Sequence, residues 1–452
     1  MIPIYPQRPD TLCRYAWDYL MFYISEPSFT YCCRTLKRTR ITDEMCKSLG
    51  QDLFSNLPEH VERRKSLLSN VQHNDCHTCW QLENKGFESS RNDYMFEKYM
   101  ERNTGFEPQN KEDLKNIPNL TRSTYASIIE IVLNNTCDAK CTYCSEHYST
   151  QWYAEKKKYN IPMTRDTSQL GERKKEAEKL FWEWYKTTGI KHLTRFGFIG
   201  GEPLITDLLY ECLDKLIEIH SNTVREPTIN LSNDTTVDKI ELCITTNMNT
   251  PPSYFNKFLN YLPILNQYFN VIVQVSGENI GEELEYIRYG VKWDRFKNNL
   301  ETLLSKPDLV KINFMPCLNL LGLPSFYKYV EYFAACCKKY YPIDIHRNIV
   351  TWPKEQSPTI APREYAAYLD QPLQIFNELI NDPQFEGQSV INVWKEFLFF
   401  LKQTQDAIKK NQNIFNMFDK GEEVFVFFTE LDDRRNTNFL KTFPEFKVWL
   451  DG

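Results

Sequence analysis

Glycine is scarce in this chain. Only 15 of the 452 residues are glycine, where an average usage of about 7% gives roughly twice that number. Each glycine therefore marks a place where the backbone needs one, and Gly200-Gly201 is the sole adjacent pair. Long apolar runs are missing too. No stretch approaches the ~18 residues of a membrane span, and the opening "MIPIYPQRPD" lacks the charged-then-apolar order of a secretory signal. These two absences predict a cytoplasmic protein with no membrane partner. A basic excess is also absent: 54 Lys and Arg stand against 60 Asp and Glu, a net charge of −6, which argues against a nucleic-acid partner. The local run "RTLKRTR" (34–40) reads as a solvated face.

Cysteine, by contrast, is plentiful, with 14 residues. In a reducing compartment thiols stay free, so clustered cysteines point to metal or redox work rather than to disulfides. The hydrophobic content of 42% over this length is enough for two or three domains with substantial cores.

From about Ser127 short β-branched and aliphatic runs alternate with amphipathic segments. Strands are expected at "SIIEIVLN", "HLTRFGFI", "IELCITTN", "NVIVQVS", "LVKINFM" and "IDIHRNIV". Helices are expected at 172–187, 204–220, 253–266, 293–304 and 325–340. Such an order predicts an α/β fold with a parallel sheet, either doubly wound or a full or partial (β/α) barrel. Residues 1–115 lack this alternation and end in the polar linker "NTGFEPQNKEDLKNIPNLT". The strand-helix region occupies 116–352. Residues 353–452 open on the proline-rich "PKEQSPTIAP" and read as mainly helical, with one β-like run at "EVFVFF".

In parallel α/β proteins the functional loops lie at the carboxyl ends of strands. "CDAKCTYC" follows the first strand there, and its spacing lets Cys137, Cys141 and Cys144 point around one object. Thiolates are soft ligands for zinc or for an iron-sulfur cluster. A zinc site would take His147 as its fourth ligand, and these three cysteines alone leave both metals open. The second strand ends in "FIGGEPL". Its double glycine lets backbone groups approach a ligand without a side chain in the way, and Glu202 adds a carboxylate.

The ordered set CxxxCxxC, GGEP and "ITTN", at the ends of strands one, two and three, resembles the radical S-adenosylmethionine (radical SAM) superfamily. That resemblance implies a partial (β/α)6 TIM-type barrel. It further implies that Cys137, Cys141 and Cys144 hold three irons of a 4Fe-4S cluster, whose fourth iron is left for the amino and carboxylate groups of S-adenosylmethionine. Reductive cleavage would then give methionine and a 5′-deoxyadenosyl radical that takes a hydrogen atom from the substrate. By the same resemblance Tyr143 contacts the adenine, Gly200, Gly201 and Glu202 meet the methionine amino group, and Asn247 lies near the ribose. Ser276 and Arg288 resemble the serine and arginine near the SAM carboxylate, for which a guanidinium fork is suited. No general acid or base is identified. An electron donor such as flavodoxin or ferredoxin is implied as a partner.

Ahead of this region stand Cys13, Cys32 and Cys33, and the CxxC pair Cys76 and Cys79. CxxC with distant partner cysteines is a metal-site pattern. Cys13, one of the pair Cys32 and Cys33, Cys76 and Cys79 make four ligands, enough for a second cluster or for one zinc. The segment resembles a twitch or SPASM-like auxiliary-cluster module, here at the amino terminus as in radical SAM proteins of bacteria and their phages. "LDDRRNTNFLKTFPEF" resembles the carboxyl end of the same group. Members with such modules act on peptides or proteins and sometimes on small molecules. Cys46, Cys212, Cys243, Cys336 and Cys337 read as small buried hydrophobes, whereas Cys317 ends a strand at the functional face. The competing class is a non-enzymatic zinc- or cluster-stabilised binding or electron-transfer protein, in which the cysteines only staple loops.

Overall fold

Runs that are apolar on both faces become buried strands, and the chain follows that rule in order. The computed structural model describes residues 11–35, 37–47, 54, 56–84, 87, 89, 91, 126–163, 174–223, 228–230, 235–237, 239–410 and 421–450. Its strands are β1 (Tyr19–Tyr23), β2 (Ser28–Thr30), β3 (Thr39–Arg40), β4 (Ile128–Val132), β5 (Arg195–Ile199), β6 (Thr228–Asn230), β7 (Thr235–Val237), β8 (Ile240–Thr246), β9 (Phe269–Ser276), β10 (Lys311–Met315) and β11 (Asp344–Ile345). The fold is mixed α/β. All six strands expected from the sequence are among these, as are the five helices. The polar stretch 103–121 read as a linker lies outside the described residues.

The chain divides into two compact units. The first comprises Met1–Asn134, Thr167–Ile199 and Glu211–Leu242, and the second Asn135–Asp166, Gly200–Tyr210 and Cys243–Gly452. In the first, the strand order is β5-β4-β1-β2-β3. β4 runs parallel to β5, with Ile128 opposite Arg195, and β1 runs parallel to β4, with Tyr19 opposite Ile128. β2 and β3 continue antiparallel.

The amino-terminal segment thus supplies strands that the sequence pattern did not reveal. "YLMFY" is buried on both faces, so the period-2 alternation that betrays a half-buried strand is absent from it. On one face Tyr19, Met21 and Tyr23 pack with Val132. On the other, Phe22 stacks on Phe181 at 4.5 Å and meets Phe54 edge-on at 6.0 Å. Burying a phenylalanine of this kind contributes about 1.5–3 kcal/mol. The start of β1 is also held by a buried polar knot. Arg14 and Ser127 both donate to Asp18 Oδ2, at 2.6 and 2.7 Å, and Ser127 N–H donates to the Asp18 carbonyl at 2.8 Å.

In the second unit the order is β8-β9-β10-β11. β10 is parallel to both β9 and β11. Helices Pro252–Tyr268, Trp293–Leu304 and Phe326–Lys339 fill the connections, each with an apolar stripe. In Trp293–Leu304 the stripe is Phe296, Leu300, Leu303 and Leu304, all buried, the spacing that one helical face requires. The carboxyl ends of β8, β9 and β10 therefore fall at Thr246, Ser276 and Met315, and the loops that follow carry the polar residues discussed below.

The run "EVFVFF" is not a strand. It lies in helix Gly421–Arg435, where Val424, Phe428 and Leu431 are buried at helical spacing while Phe425 and Val426 face outward. Glu422 and Glu423 in its first turn favour the helix through the positive end of its dipole. Among the described residues no helix is long and apolar enough to cross a membrane.

Candidate functional site

The loop after β4 belongs to the second unit and is pinned along its main chain. Ser149 caps helix Thr150–Lys158 by accepting from Trp152 N–H at 3.2 Å, and its hydroxyl donates to the Ala139 carbonyl at 2.6 Å. Thr150 closes on Cys137, accepting from its N–H at 3.3 Å and donating to its carbonyl at 3.1 Å. The Trp152 indole donates to the Cys141 carbonyl at 2.8 Å. Lys140 N–H donates to the Tyr289 carbonyl at 2.8 Å and Thr142 N–H to the Ile287 carbonyl at 2.7 Å. The backbone of the cysteine loop is thereby fixed while its thiols stay available as ligands.

Those thiols influence one another. Burial pushes Cys144 up to about 12, with the charge of Cys141 adding to it. Burial and Cys141 likewise raise Cys137. Cys141 itself is raised by burial and drawn back by the guanidinium of Arg288. Loading a metal group here would expel the thiol protons. Among the described residues no three His, Cys, Asp or Glu side chains converge tightly enough for one metal ion, and a zinc ion needs its sulfurs within about 2.3 Å of a single point. The ring of His147 lies against Tyr148, with centroids 6.4 Å apart. An iron-sulfur cube spreads its thiolates over separate corners, and three soft, half-buried sulfurs on one rigid loop suit that donor set.

The double glycine has a structural reason of its own. Gly200 has φ of 142°, a region that favours glycine. A Cβ on Gly201 would run into the Asn135–Thr136 main chain, with the Thr136 carbonyl carbon only 2.7 Å away. The next residue, Glu202, donates its N–H to the Thr136 carbonyl at 2.7 Å. Gly201→Ala is expected to push these two backbones apart, costing about 1–3 kcal/mol and loosening the cysteine loop. A lower thermal midpoint would show it, and stability equal to wild type would contradict it.

Glu202 is buried, and its carboxyl is pushed up to about 7 by burial, against the pull of a hydrogen bond from Asn247 N–H. It accepts from Asn247 N–H at 2.6 Å, from the Thr246 hydroxyl at 2.7 Å and from Leu204 N–H at 3.1 Å. Asn247 donates from its side chain to Asp138 at 2.9 Å, and Asn249 donates to the other oxygen of Asp138 at 2.6 Å. Asp138, beside Cys137, is thus joined to Asn247 and through it to Glu202, three regions far apart in sequence. Asp138 and Asn249 were not singled out from sequence. Their only signal is position: one lies beside Cys137, the other two residues beyond "TTN".

Tyr143, Arg288 and Cys317 form the second half of the site. Arg288 is buried and its fork grips Glu278, Nη2 to Oε2 at 2.7 Å and Nε to both oxygens at 3.1 and 3.2 Å. Its remaining nitrogen, Nη1, is 4.0 Å from the Cys141 sulfur. The Tyr143 hydroxyl donates to Glu278 at 3.1 Å. Burial pushes Cys317 up to about 11, with Glu278 adding to it, in the same surroundings as Cys141 and Tyr143. Glu278 was not singled out from sequence, and its only trace there is an acid two residues past a strand end. Ser276 lies half-buried at the end of β9.

In the first unit Cys13, Cys32, Cys76 and Cys79 lie near enough to influence one another, though without converging on one metal position. Cys13 is raised by burial and then by Cys32, Cys79 and Cys76. Burial pushes Cys76 up to about 12, with Cys32 adding to it. Cys32 is instead drawn down to about 6, chiefly by a hydrogen bond from Cys33, with Arg34 N–H donating to its sulfur from 3.3 Å. Cys33 is exposed and is influenced by Cys32, Arg34 and Glu130 rather than by the other three. Trp17, Trp80, Leu12 and Leu67 wall in Cys13. Cys212, Cys243, Cys336 and Cys337 are buried, and the side chain of Cys46 lies outside the described residues.

No family model and no curated protein matches the chain. Among solved structures, native anSMEcpe with bound AdoMet is similar at 15% identity and a TM-score of 0.34, over 55% of this chain and 59% of that one. Streptococcus suis SuiB bound to precursor peptide SuiA is similar at 12% identity and a TM-score of 0.33, over 85% of this chain and 75% of that one. The same protein bound to S-adenosylmethionine gives 14% and 0.32, over 78% and 67%. This chain thus spans less than two thirds of the first of these proteins.

Proposed function

We propose that this chain is a radical SAM enzyme whose cluster is held by Cys137, Cys141 and Cys144. The observation that carries this reading is the rigid three-thiol loop joined through Asp138 to Asn247 and, beyond it, Glu202. A 4Fe-4S cluster with SAM bound there would supply reductive cleavage of the cofactor and a radical able to abstract hydrogen from the substrate. The chain's own residues bind and orient. Gly200, Gly201 and Glu202 face the methionine amino group, Asn247 the ribose and Tyr143 the adenine. Ser276 and the Nη1 edge of Arg288 serve the carboxylate. Burial around Glu278 and Arg288 excludes water, so that the radical meets one C–H bond.

The reading extends to the architecture. The strand-helix region 116–352 forms a partial (β/α)6 barrel, preceded by a cysteine-rich module at 1–115 and followed by a helical extension at 353–452. Cys13, Cys32, Cys76 and Cys79 hold an auxiliary cluster, and the mutual influence of their thiols supports Cys32 over Cys33. The substrate is a peptide or protein, and a flavodoxin or ferredoxin delivers the electron in the cytoplasm.

Anaerobic quantification of iron and sulfide tests both sites. Wild type should hold roughly eight irons per chain, falling to roughly four in a variant lacking Cys137, Cys141 and Cys144. The same fall is expected when Cys13, Cys32, Cys76 and Cys79 are replaced. Zinc without iron or sulfide in protein purified without air would instead make the cysteines loop staples.

A further inference from the structure

We propose that Glu278 and Arg288 form a charge pair that sets the reduction potential of the metal group ligated by Cys141. The inference rests on the assignment of Cys141 as a ligand and gives the charges of Glu278 and Arg288 a role beyond the binding contact already proposed for Arg288. Glu278 is fully buried and Arg288 is 4% exposed. A buried ion pair of this kind contributes little net stability, because the desolvation of two charges offsets their attraction, and two apolar side chains of similar size would hold the core as well. The geometry shows what the pair does instead.

Cys141 and Arg288 face each other across two main-chain bonds. Lys140 N–H donates to Tyr289 on one side, and Thr142 N–H donates to Ile287 on the other. These bonds hold the two backbones together, and Nη1 of Arg288 lies 4.0 Å from the Cys141 sulfur. The far edge of the guanidinium is locked by Glu278, and the Tyr143 hydroxyl donates to both oxygens of that carboxylate at 3.1 Å. The result is an oriented dipole, positive toward the sulfur and negative away from it, in surroundings where charge is weakly screened. A second cation, Arg435, also draws on Cys141, but its guanidinium is tied to Glu155 at 3.2 Å. Cys317 and Tyr329 also feel the Glu278-Arg288 pair, and Cys144 feels Arg288.

Reduction adds one negative charge next to the sulfur, so Arg288 favours the reduced state and Glu278 opposes it. Arg288→Gln should lower the midpoint potential and Glu278→Gln should raise it. Each change should be about tenfold in the reduction equilibrium, about 59 mV for one electron. Arg288→Lys, which keeps the charge, should restore part of the loss.

The test is a redox titration of the anaerobically reconstituted full-length chain, followed by electron paramagnetic resonance. Iron and sulfide are counted on the same samples, and the signal is assigned by its absence from the variant lacking Cys137, Cys141 and Cys144. Opposite shifts in the two glutamine variants are the expected result, because a merely structural role would move both the same way. Unchanged potentials, or shifts of one sign, in variants with full iron content would overturn the pair's role while leaving the cluster assignment intact. Should Arg288→Gln fail to load iron, the nearly isosteric Glu278→Gln decides alone: a raised potential supports the inference, and an unchanged or lowered one overturns it. Wild type without iron at these cysteines would remove the assignment and the inference together.

Discussion

Cys141→Ala should abolish 5′-deoxyadenosine formation from SAM. In the anaerobically reconstituted wild type with a strong reductant, product should accumulate, whereas the variant should give no more than a protein-free control. Cys141 is the best of the three proposed ligands for this test, because the contacts that hold its loop segment do not use its thiol. The Trp152 indole grips its carbonyl, and the N–H groups of Lys140 and Thr142 bond to the strap at 287–289. Removing the sulfur leaves all of these in place, so a lost activity reports ligation and not a collapsed loop. Cys137 is less clean, since its sulfur lies 3.5 Å from Ala139 N–H as an acceptor. Chromatographic measurement of deoxyadenosine, with circular dichroism to confirm folding, decides it. Product equal to wild type would remove the mechanism.

Much of this site was legible because its residues sit at the ends of strands with strong apolar signatures. "SIIEIVLN" and "IELCITTN" read as strands, which placed the cysteines, the glycine pair and Asn247 in neighbouring loops before any geometry was known. Contacts between distant residues were not legible. Glu278 and Arg288 are ten positions apart with a helix between them, and nothing local says that they pair. Asp138 looks like any loop aspartate until Asn247 and Asn249, over a hundred residues on, donate to its two oxygens. The reason for Gly201 was also hidden. Sequence suggests a backbone bared for a ligand, while the space its Cβ would need is filled by the Thr136 carbonyl. β1 and "EVFVFF" failed for a related reason. A short, wholly apolar run has no measurable period, and only its partners choose between strand and helix.

Glu155→Ala should be the most destabilising of the substitutions considered, by about 3–5 kcal/mol, the range for breaking a buried pair on one side only. The Glu155 carboxylate is 1% exposed and receives three cations. Lys140 reaches it from the cysteine loop, Arg434 donates at 3.3 Å, and Arg435 donates at 3.2 and 3.4 Å. Without the carboxylate, Arg435 would remain almost fully buried over Trp152 and Tyr289, 4.7 and 5.4 Å from their ring centres, with no anion to balance it. Trp152 is the residue that holds the Cys141 carbonyl, so the variant should lose iron as well as stability. Although burial works against its charge, Lys140 and Arg435 hold the Glu155 carboxyl below the usual glutamate value. Its contribution is therefore complete above about pH 4.3 and is lost as the pH falls through the lowered value, and Glu155→Ala should flatten that part of the acid limb. Urea denaturation supplies the magnitude. Adding Arg435→Leu to Glu155→Ala should return part of the lost stability, because it removes the stranded charge, and strict additivity of the two changes would refute this account of the cluster.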